Sequence, residues 1–206
     1  MKCFVTGTDT GVGKTYVTSL LARALTQAGY TTAALKPVAC GDREDAVSLQ
    51  RATGRLTLDQ INPAYLQAPL APLEAARLEG RQLDIPFFED WFFDVVKGSD
   101  AVLVEGAGGW LVPFAPGKSM ADLAEAFGLP VLIVAANRLG CLNHIFLTLE
   151  SIRARHIPCA GVILNTITPT PDASREANRR IIEAEVPVLC EILPGQDSVD
   201  LSFLKS

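Results

Sequence analysis

Six short apolar runs mark the chain, at 3–6, 32–38, 101–105, 131–136, 161–165 and 188–193. Within each run the hydrophobic residues are continuous rather than alternating, the pattern of strands buried on both faces of a parallel sheet. Between the runs the apolar positions recur at helical spacing, which predicts helices at about 15–28, 44–53, 70–79, 86–97, 119–127, 143–155 and 173–185. In the first of these, Leu20, Leu21, Ala24 and Leu25 share one face. Ser119 and Asp122 have the spacing of a capping box, and Asn143 has the residue type of an N-cap for the helix after it. Strands alternating with helices predict an α/β fold, a mostly parallel central sheet flanked by helices on both faces. No internal repeat, low-complexity tract or Ser/Gly linker interrupts the pattern, so a single domain over 1–206 is expected.

In an open α/β sheet, ligands bind at the carboxyl ends of the strands. The segments that follow the apolar runs are therefore the site candidates: 7–15, 36–41, 105–110, 137–144 and 165–166. The first is the most informative. Gly7, Gly11 and Gly13 precede Lys14 and Thr15, between a strand pattern and a helical one. That order of strand, glycine loop and helix is what a phosphate loop needs, because loop N–H groups and the helix N-terminus together favour an anion. Lys14 would reach the β- and γ-phosphates and the Thr15 hydroxyl would ligate Mg²⁺. One position departs from the common spacing: Thr8 stands where the first glycine falls, with Gly7 one residue earlier.

Lys36 is the only charge in its apolar run, and an unpaired buried ammonium is expensive. It reads either as a lysine snorkelling at a strand edge or as a cation for negative charge developing at a γ-phosphate. Asp45 taken alone reads as a first-turn acid favoured by the helix dipole. Glu105 directly follows Val102, Leu103 and Val104, and a carboxylate at the end of a buried strand needs a metal or a cation. Thr15, Asp45 and Glu105 form a hard-oxygen set suited to Mg²⁺. The segment 106–110 is expected to be a second glycine loop beside that metal, with a plain turn as the alternative. Cys40 has no His or Asn positioned to activate it, His144 is read as structural, and His156, in a charged surface segment, is assigned no role. Asn165 either ties its own turn or reads a nucleotide base.

Composition narrows the function further. Hydrophobic residues make up 49% and charged residues 20% of the 206, so the chain folds and buries a core. The net charge of −5, with only six lysines, argues against a sequence-independent nucleic-acid binder. The N-terminal apolar run is too short for a signal peptide, and the stretch at 130–136 is too short for a membrane span. Five cysteines without framework spacing read as reduced thiols, and a cytoplasmic protein is expected.

The stretches VTGTDTGVGKT, KPVACG, EDAVSLQ, VEGAGGW and LGCLNH, in that order over roughly residues 3–166, resemble the dethiobiotin synthetase family. GVGKT alone marks only a nucleotide binder, whereas VEGAGG combined with KPV is far more specific. The resemblance implies a P-loop NTPase-like fold and an ATP- and Mg²⁺-dependent conversion of 7,8-diaminononanoate and CO₂ to dethiobiotin, ADP and phosphate. It implies an amine carbamate that ATP phosphorylates to a mixed anhydride, after which the second amine closes the ring. Lys36, Lys14 and Thr10 are then the catalytic residues. Gly11, Val12, Gly13, Lys14, Thr15 and Tyr16 would bind the nucleotide, with Asp45, Glu105, Gly106, Ala107 and Gly108. Asn165 and Thr166, with Leu193, Pro194 and Gly195, would read the adenine. Thr15, Asp45 and Glu105 remain the metal set. Cys40 and Gly109 would contact the substrate, and Gly140, Cys141, Leu142 and Asn143 would bind its carboxylate from the neighbouring subunit of a homodimer.

Two positions depart from that family's pattern: Cys40 stands for a serine and Leu73 for a histidine. Two other readings stay open. A nucleotide-switch ATPase of the partitioning or iron-protein type would carry a second lysine five residues before the loop lysine, where this chain has Asp9. An amidating synthetase of the cobyrinic acid type would usually carry a further glutaminase domain.

Overall fold

The computed structural model describes residues 1–169 and 172–205, and of Lys205 only the backbone. From the N-terminus, strand β1 (Lys2–Gly7) leads through the glycine loop into α1 (Lys14–Gln27), then β2 (Thr32–Leu35) and β3 (Val38–Cys40). Helices α2 (Glu44–Thr53) and α3 (Leu58–Ile61), strand β4 (Ala64–Leu66), and helices α4 (Pro72–Leu78) and α5 (Ile85–Val95) follow. The long strand β5 (Ala101–Gly109) leads to the β6 (Pro113–Ala115) and β7 (Lys118–Ser119) hairpin and to α6 (Met120–Ala126). Strand β8 (Val131–Ala136), α7 (Cys141–Ala154), β9 (Cys159–Asn165), α8 (Ser174–Glu183) and β10 (Val188–Ile192) complete the α/β alternation, before a 3₁₀ turn at Ser202–Lys205.

Six strands form one sheet in the order β10-β9-β8-β1-β5-β2, with every pairing parallel. Phe4 of β1 sits opposite Val104 on one side and Val131 on the other, at the centre of the sheet. Successive strand residues point to opposite faces. All six residues of β8 and all four of β2 are buried, so both faces of the sheet are covered, as continuous apolar runs require. The core continues through aromatic contacts: Phe4 packs edge-on against Trp110 at 6.4 Å, and Phe92 stacks on Phe127 at 4.3 Å.

Three sequence expectations change. The run at 32–38 is two strands, not one. Pro37 has no N–H for a ladder, so the chain leaves the main sheet after Leu35 and starts a separate parallel pair, β3 with β4. Asn62, buried on the β4 side, secures the crossing by donating from Nδ2 to the Lys36 and Ala64 carbonyls at 2.8 and 3.0 Å. The segment 106–110 is for the most part not a loop. Strand β5 runs on to Gly109, opposite Gly7, after a register shift in β1, because a ladder needs only backbone and glycines carry no apolar signature. Helix α7 begins at Cys141 behind Gly140 (φ 88°), which places Asn143 inside the first turn and not at the cap. The 138–140 turn, where Cys141 N donates to Arg138 O at 3.1 Å, replaces the side-chain cap. The Ser119–Asp122 capping box is present. Strands β4, β6 and β7 and helix α3 were too short to register as periodic patterns.

Candidate active site

The glycine loop lies over the carboxyl end of β1. Gly13 has φ +88°, a left-handed conformation that glycine adopts without strain, and its Cα faces Asn165 so closely that a Cβ would sit 2.1 Å from Asn165 Nδ2. Asn165 itself donates from Nδ2 to the Val12 carbonyl at 2.9 Å, which ties the end of β9 to the loop. Lys14 folds back under the loop with Nζ 3.3 Å from the Asp9 carbonyl, and Asp9 Oδ1 accepts from the Thr10 N–H at 2.7 Å. Burial and the positive charge of Lys36 lower the Lys14 pKa below the ordinary lysine value.

Lys36 emerges from the end of β2 into the same space and is 3% exposed. Its three N–H donors meet three acceptors: Asp45 Oδ2 at 2.7 Å, Glu105 Oε1 at 2.7 Å and the Gly106 carbonyl at 3.2 Å. Burial alone would depress the lysine pKa, but the Glu105 and Asp45 carboxylates outweigh it and hold the pKa above normal. For Asp45 burial pushes upward, and the ammonium of Lys36 beside it wins and keeps the carboxyl below its usual range. Thr15 Oγ1 lies 2.7 Å from both Asp45 Oδ1 and Glu105 Oε1, yet a hydroxyl has one proton to give. Glu105 Oε2 is buried with no hydrogen-bond partner. Gly106 lets β5 pass over the Phe4 ring, since a Cβ there would lie 3.0 Å from Phe4 Cε1.

These groups open into one cleft of about 770 Å³, lined among others by Thr10, Gly11, Gly13, Lys14, Thr15, Lys36, Cys40, Asp45, Glu105, Ala107 and Gly108. The sequence candidates thus converge from β1, β2, β3, α2 and β5. Val12 is buried beneath the loop. Gly109 lines an adjoining hollow of about 450 Å³ with Thr10 and Trp110. Tyr16 points to the other side, where its hydroxyl donates to the Gln196 carbonyl in the turn that carries Leu193, Pro194 and Gly195. Thr166 joins that side, donating from N to the Ile192 carbonyl at 2.8 Å. Gly140, Cys141, Leu142 and Asn143 do not line the cleft, and the Cys141 side chain is buried. Leu73 is half-buried on α4 and does not line it either.

Of the far wall, sequence reasoning had only the 36–41 segment and missed Pro69, Leu70, Pro72 and Val112. Val38, Ala39, Pro69, Leu70, Pro72 and Val112 make that side of the cleft largely apolar. Pro69 and Pro72 were the available signal, since a proline mid-segment marks a bend and one at the first helical position starts a helix. Asn62 was also missed; it precedes Pro63, a spacing that marks a turn. Cys40 stands on this wall with its thiol pKa pushed up to about 11 by burial. Iodoacetamide at pH 8 is expected to leave Cys40 unmodified over a period that alkylates a free peptide cysteine, with the rate rising only above pH 10. Peptide mass mapping against pH measures this.

A glycine loop at the end of the first strand of a parallel sheet, with Lys14 beneath it and Thr15 opening the next helix, defines a P-loop nucleotide-binding protein. The fold agrees: the septum site-determining protein MinD of Pyrococcus horikoshii aligns over 95% of this chain and 82% of its own, with TM-score 0.59 and 18% identity. A ParA family ATPase of Chlorobium tepidum aligns over 95% and 84%, also with TM-score 0.59 and 18% identity. An AAA domain model matches residues 1–200. The ATP-dependent dethiobiotin synthetase BioD of Akkermansia muciniphila is 43% identical over 97% of this chain and 95% of its own length. That of Nitrosospira multiformis is 40% identical over 98% and 92%. The chain belongs to the dethiobiotin synthetase family.

Proposed function

We propose that this protein carries out the ATP- and Mg²⁺-dependent carboxylation and ring closure of 7,8-diaminononanoate to dethiobiotin, with release of ADP and phosphate. The observation that carries the reading is the convergence of Lys14, Lys36, Thr15, Asp45 and Glu105 on one cleft beneath the phosphate loop. None of these side chains has to form a covalent bond to substrate. Phosphoryl transfer rests on positioning and charge stabilisation, and the diamine supplies both nucleophiles.

The residues present fit a magnesium ion. The Thr15 hydroxyl is shared between two carboxylates, and Glu105 keeps one buried oxygen without a partner. Thr15, Asp45 and Glu105 would hold the ion; one or two carboxylates with retained water are what Mg²⁺ prefers. When bound, it neutralises charge on the β- and γ-phosphate oxygens. Lys14 holds the transferring phosphate from below the loop, and Lys36 faces the carbamate oxygen that receives it. Thr10, at the mouth of the cleft, orients that acceptor. The apolar wall from Val38 to Cys40 and Leu70 excludes water from the mixed anhydride. Asn165, Thr166 and the 193–195 turn flank the adenine.

Gly140–Asn143 stands away from its own chain's cleft, which suits the role of a carboxylate site offered to a second subunit in a homodimer. Among the described residues no helix is long and apolar enough to cross a membrane, and all five cysteines are free. A cytoplasmic setting is part of the same proposal.

The test is a product assay with diamine, bicarbonate, Mg²⁺ and ATP. One dethiobiotin is expected per phosphate released, with phosphate release falling to background when the diamine is omitted. Diamine-independent hydrolysis stimulated by DNA or by a partner protein would replace this reading with the nucleotide-switch one.

A further inference from the structure

The ammonium of Lys36 has no donor to spare. Its three N–H groups are taken by Asp45 Oδ2, Glu105 Oε1 and the Gly106 carbonyl. Two of those acceptors belong to the carboxylates that, on the function proposed above, hold the metal. One oxygen, Glu105 Oε1, is claimed by both Lys36 and Thr15. The Glu105 side chain is fully buried, so its charge must be balanced locally at all times. We propose that Lys36 is the resident cation of the metal site, and that Lys36 and a divalent cation exclude each other from the Asp45 and Glu105 oxygens. Arrival of the metal is what turns the lysine toward the reacting groups.

The charges close in both states. Without metal, Lys36 and Lys14 balance the two carboxylates. With a doubly charged ion on the carboxylates the balance is kept by that ion alone, and Lys36 is released to join Lys14, which already lies under the loop by the Asp9 carbonyl, in facing phosphate. A divalent ion on Glu105 Oε1 and an ammonium 2.7 Å from the same oxygen would repel each other strongly in a site with so little solvent. The lysine stem has the freedom to withdraw: four methylenes end in a point charge, whereas a planar guanidinium is tied to one orientation. The loaded enzyme therefore acquires its second phosphate-facing cation only with its metal. The metal-free enzyme keeps that cation locked away.

The exchange is tested by binding, without nucleotide and without turnover. Mn²⁺ affinity is measured by electron paramagnetic resonance for the wild type, for Lys36→Met and for Lys36→Arg. The Met variant removes the competing charge at similar length and should bind Mn²⁺ at least tenfold more tightly than the wild type. The Arg variant keeps the charge and should show no gain. Equal or weaker binding by Lys36→Met would overturn the proposal. A second measurement titrates the wild-type protein: with ¹³Cε-labelled lysine, the Lys36 signal, assigned through its loss in Lys36→Arg, should move during a Mg²⁺ titration with the midpoint of metal binding. A signal unmoved at metal saturation would equally overturn the proposal. Neither readout depends on the diamine, so a missing dethiobiotin product and a failed metal exchange are separate results.

Discussion

Lys36→Ala should lower kcat for dethiobiotin formation about 10³-fold while leaving nucleotide affinity within a few-fold of the wild type. One preorganised donor on developing negative charge is worth about 10²–10³ in rate. On the function proposed above the same group faces both the acceptor and the transferring phosphate, which places it at the upper end. Nucleotide affinity survives because Lys14 and the backbone of the glycine loop are untouched. Steady-state kinetics together with equilibrium binding of an ATP analogue separate the two effects. Retained turnover would remove Lys36 from its assigned role.

The same substitution also has a pH consequence. The ammonium of Lys36 holds the Asp45 pKa below its unfolded value, so this contribution to stability is full above the ordinary carboxylate range and is lost as pH falls through the lowered pKa. Lys36 is raised, so its own contribution is full below the ordinary lysine pKa and is lost only as pH rises beyond it. In Lys36→Ala the largest influence that lowers the Asp45 pKa is gone, and the acid limb of a stability–pH profile should move to higher pH. Asp45 is 44% exposed, so solvent screening makes that movement smaller than for a fully buried pair. Chemical denaturation across pH 3–7 would follow it.

Gly13→Ala should abolish measurable nucleotide binding and lower the melting temperature. The added Cβ meets two obstacles at once: φ of +88°, which costs a non-glycine residue about 1–2 kcal/mol, and the Asn165 amide 2.1 Å away. The loop has to move, and its N–H groups no longer point at a common centre. Combining the change with Asn165→Ala removes the collision and leaves the backbone strain. The double variant should therefore recover much of the lost melting temperature relative to Gly13→Ala. Equal melting temperatures for the single and double variants would show that the contact with Asn165 is not what fixes the loop. Calorimetry gives the melting temperatures, and titration with an ATP analogue gives the binding.

The sequence was most legible where chemistry demands a fixed residue type. Lys36 and Glu105 each put a charge at the end of an apolar run, Lys14 and Thr15 follow a glycine loop, and the structure brings all four to one cleft. Helix α2 begins and ends where its apolar spacing puts it, at Glu44–Thr53, and β8 likewise at Val131–Ala136. Legibility failed where backbone alone decides. Strand β5 continues through 106–109 without one large side chain. The β2–β3 break depends on a proline and on a distant amide, Asn62, which no local window contains. The apolar wall at Leu70 was hidden because a side chain that faces a ligand cleft has the same hydrophobic signature as one that faces the core.

The parallel pair β3–β4 is hydrogen-bonded to itself and not to the six-stranded sheet. Cys40 ends one of its strands and Leu66 the other, just before the bend that carries Pro69. On the function proposed above, energy coupling and acceptor shape thus sit on different scaffolds. Mutation can reshape the wall that the acceptor meets without disturbing the strands that carry the phosphate loop. On that same proposed function, substitutions on the pair would change which acceptor fits while the use of ATP is kept.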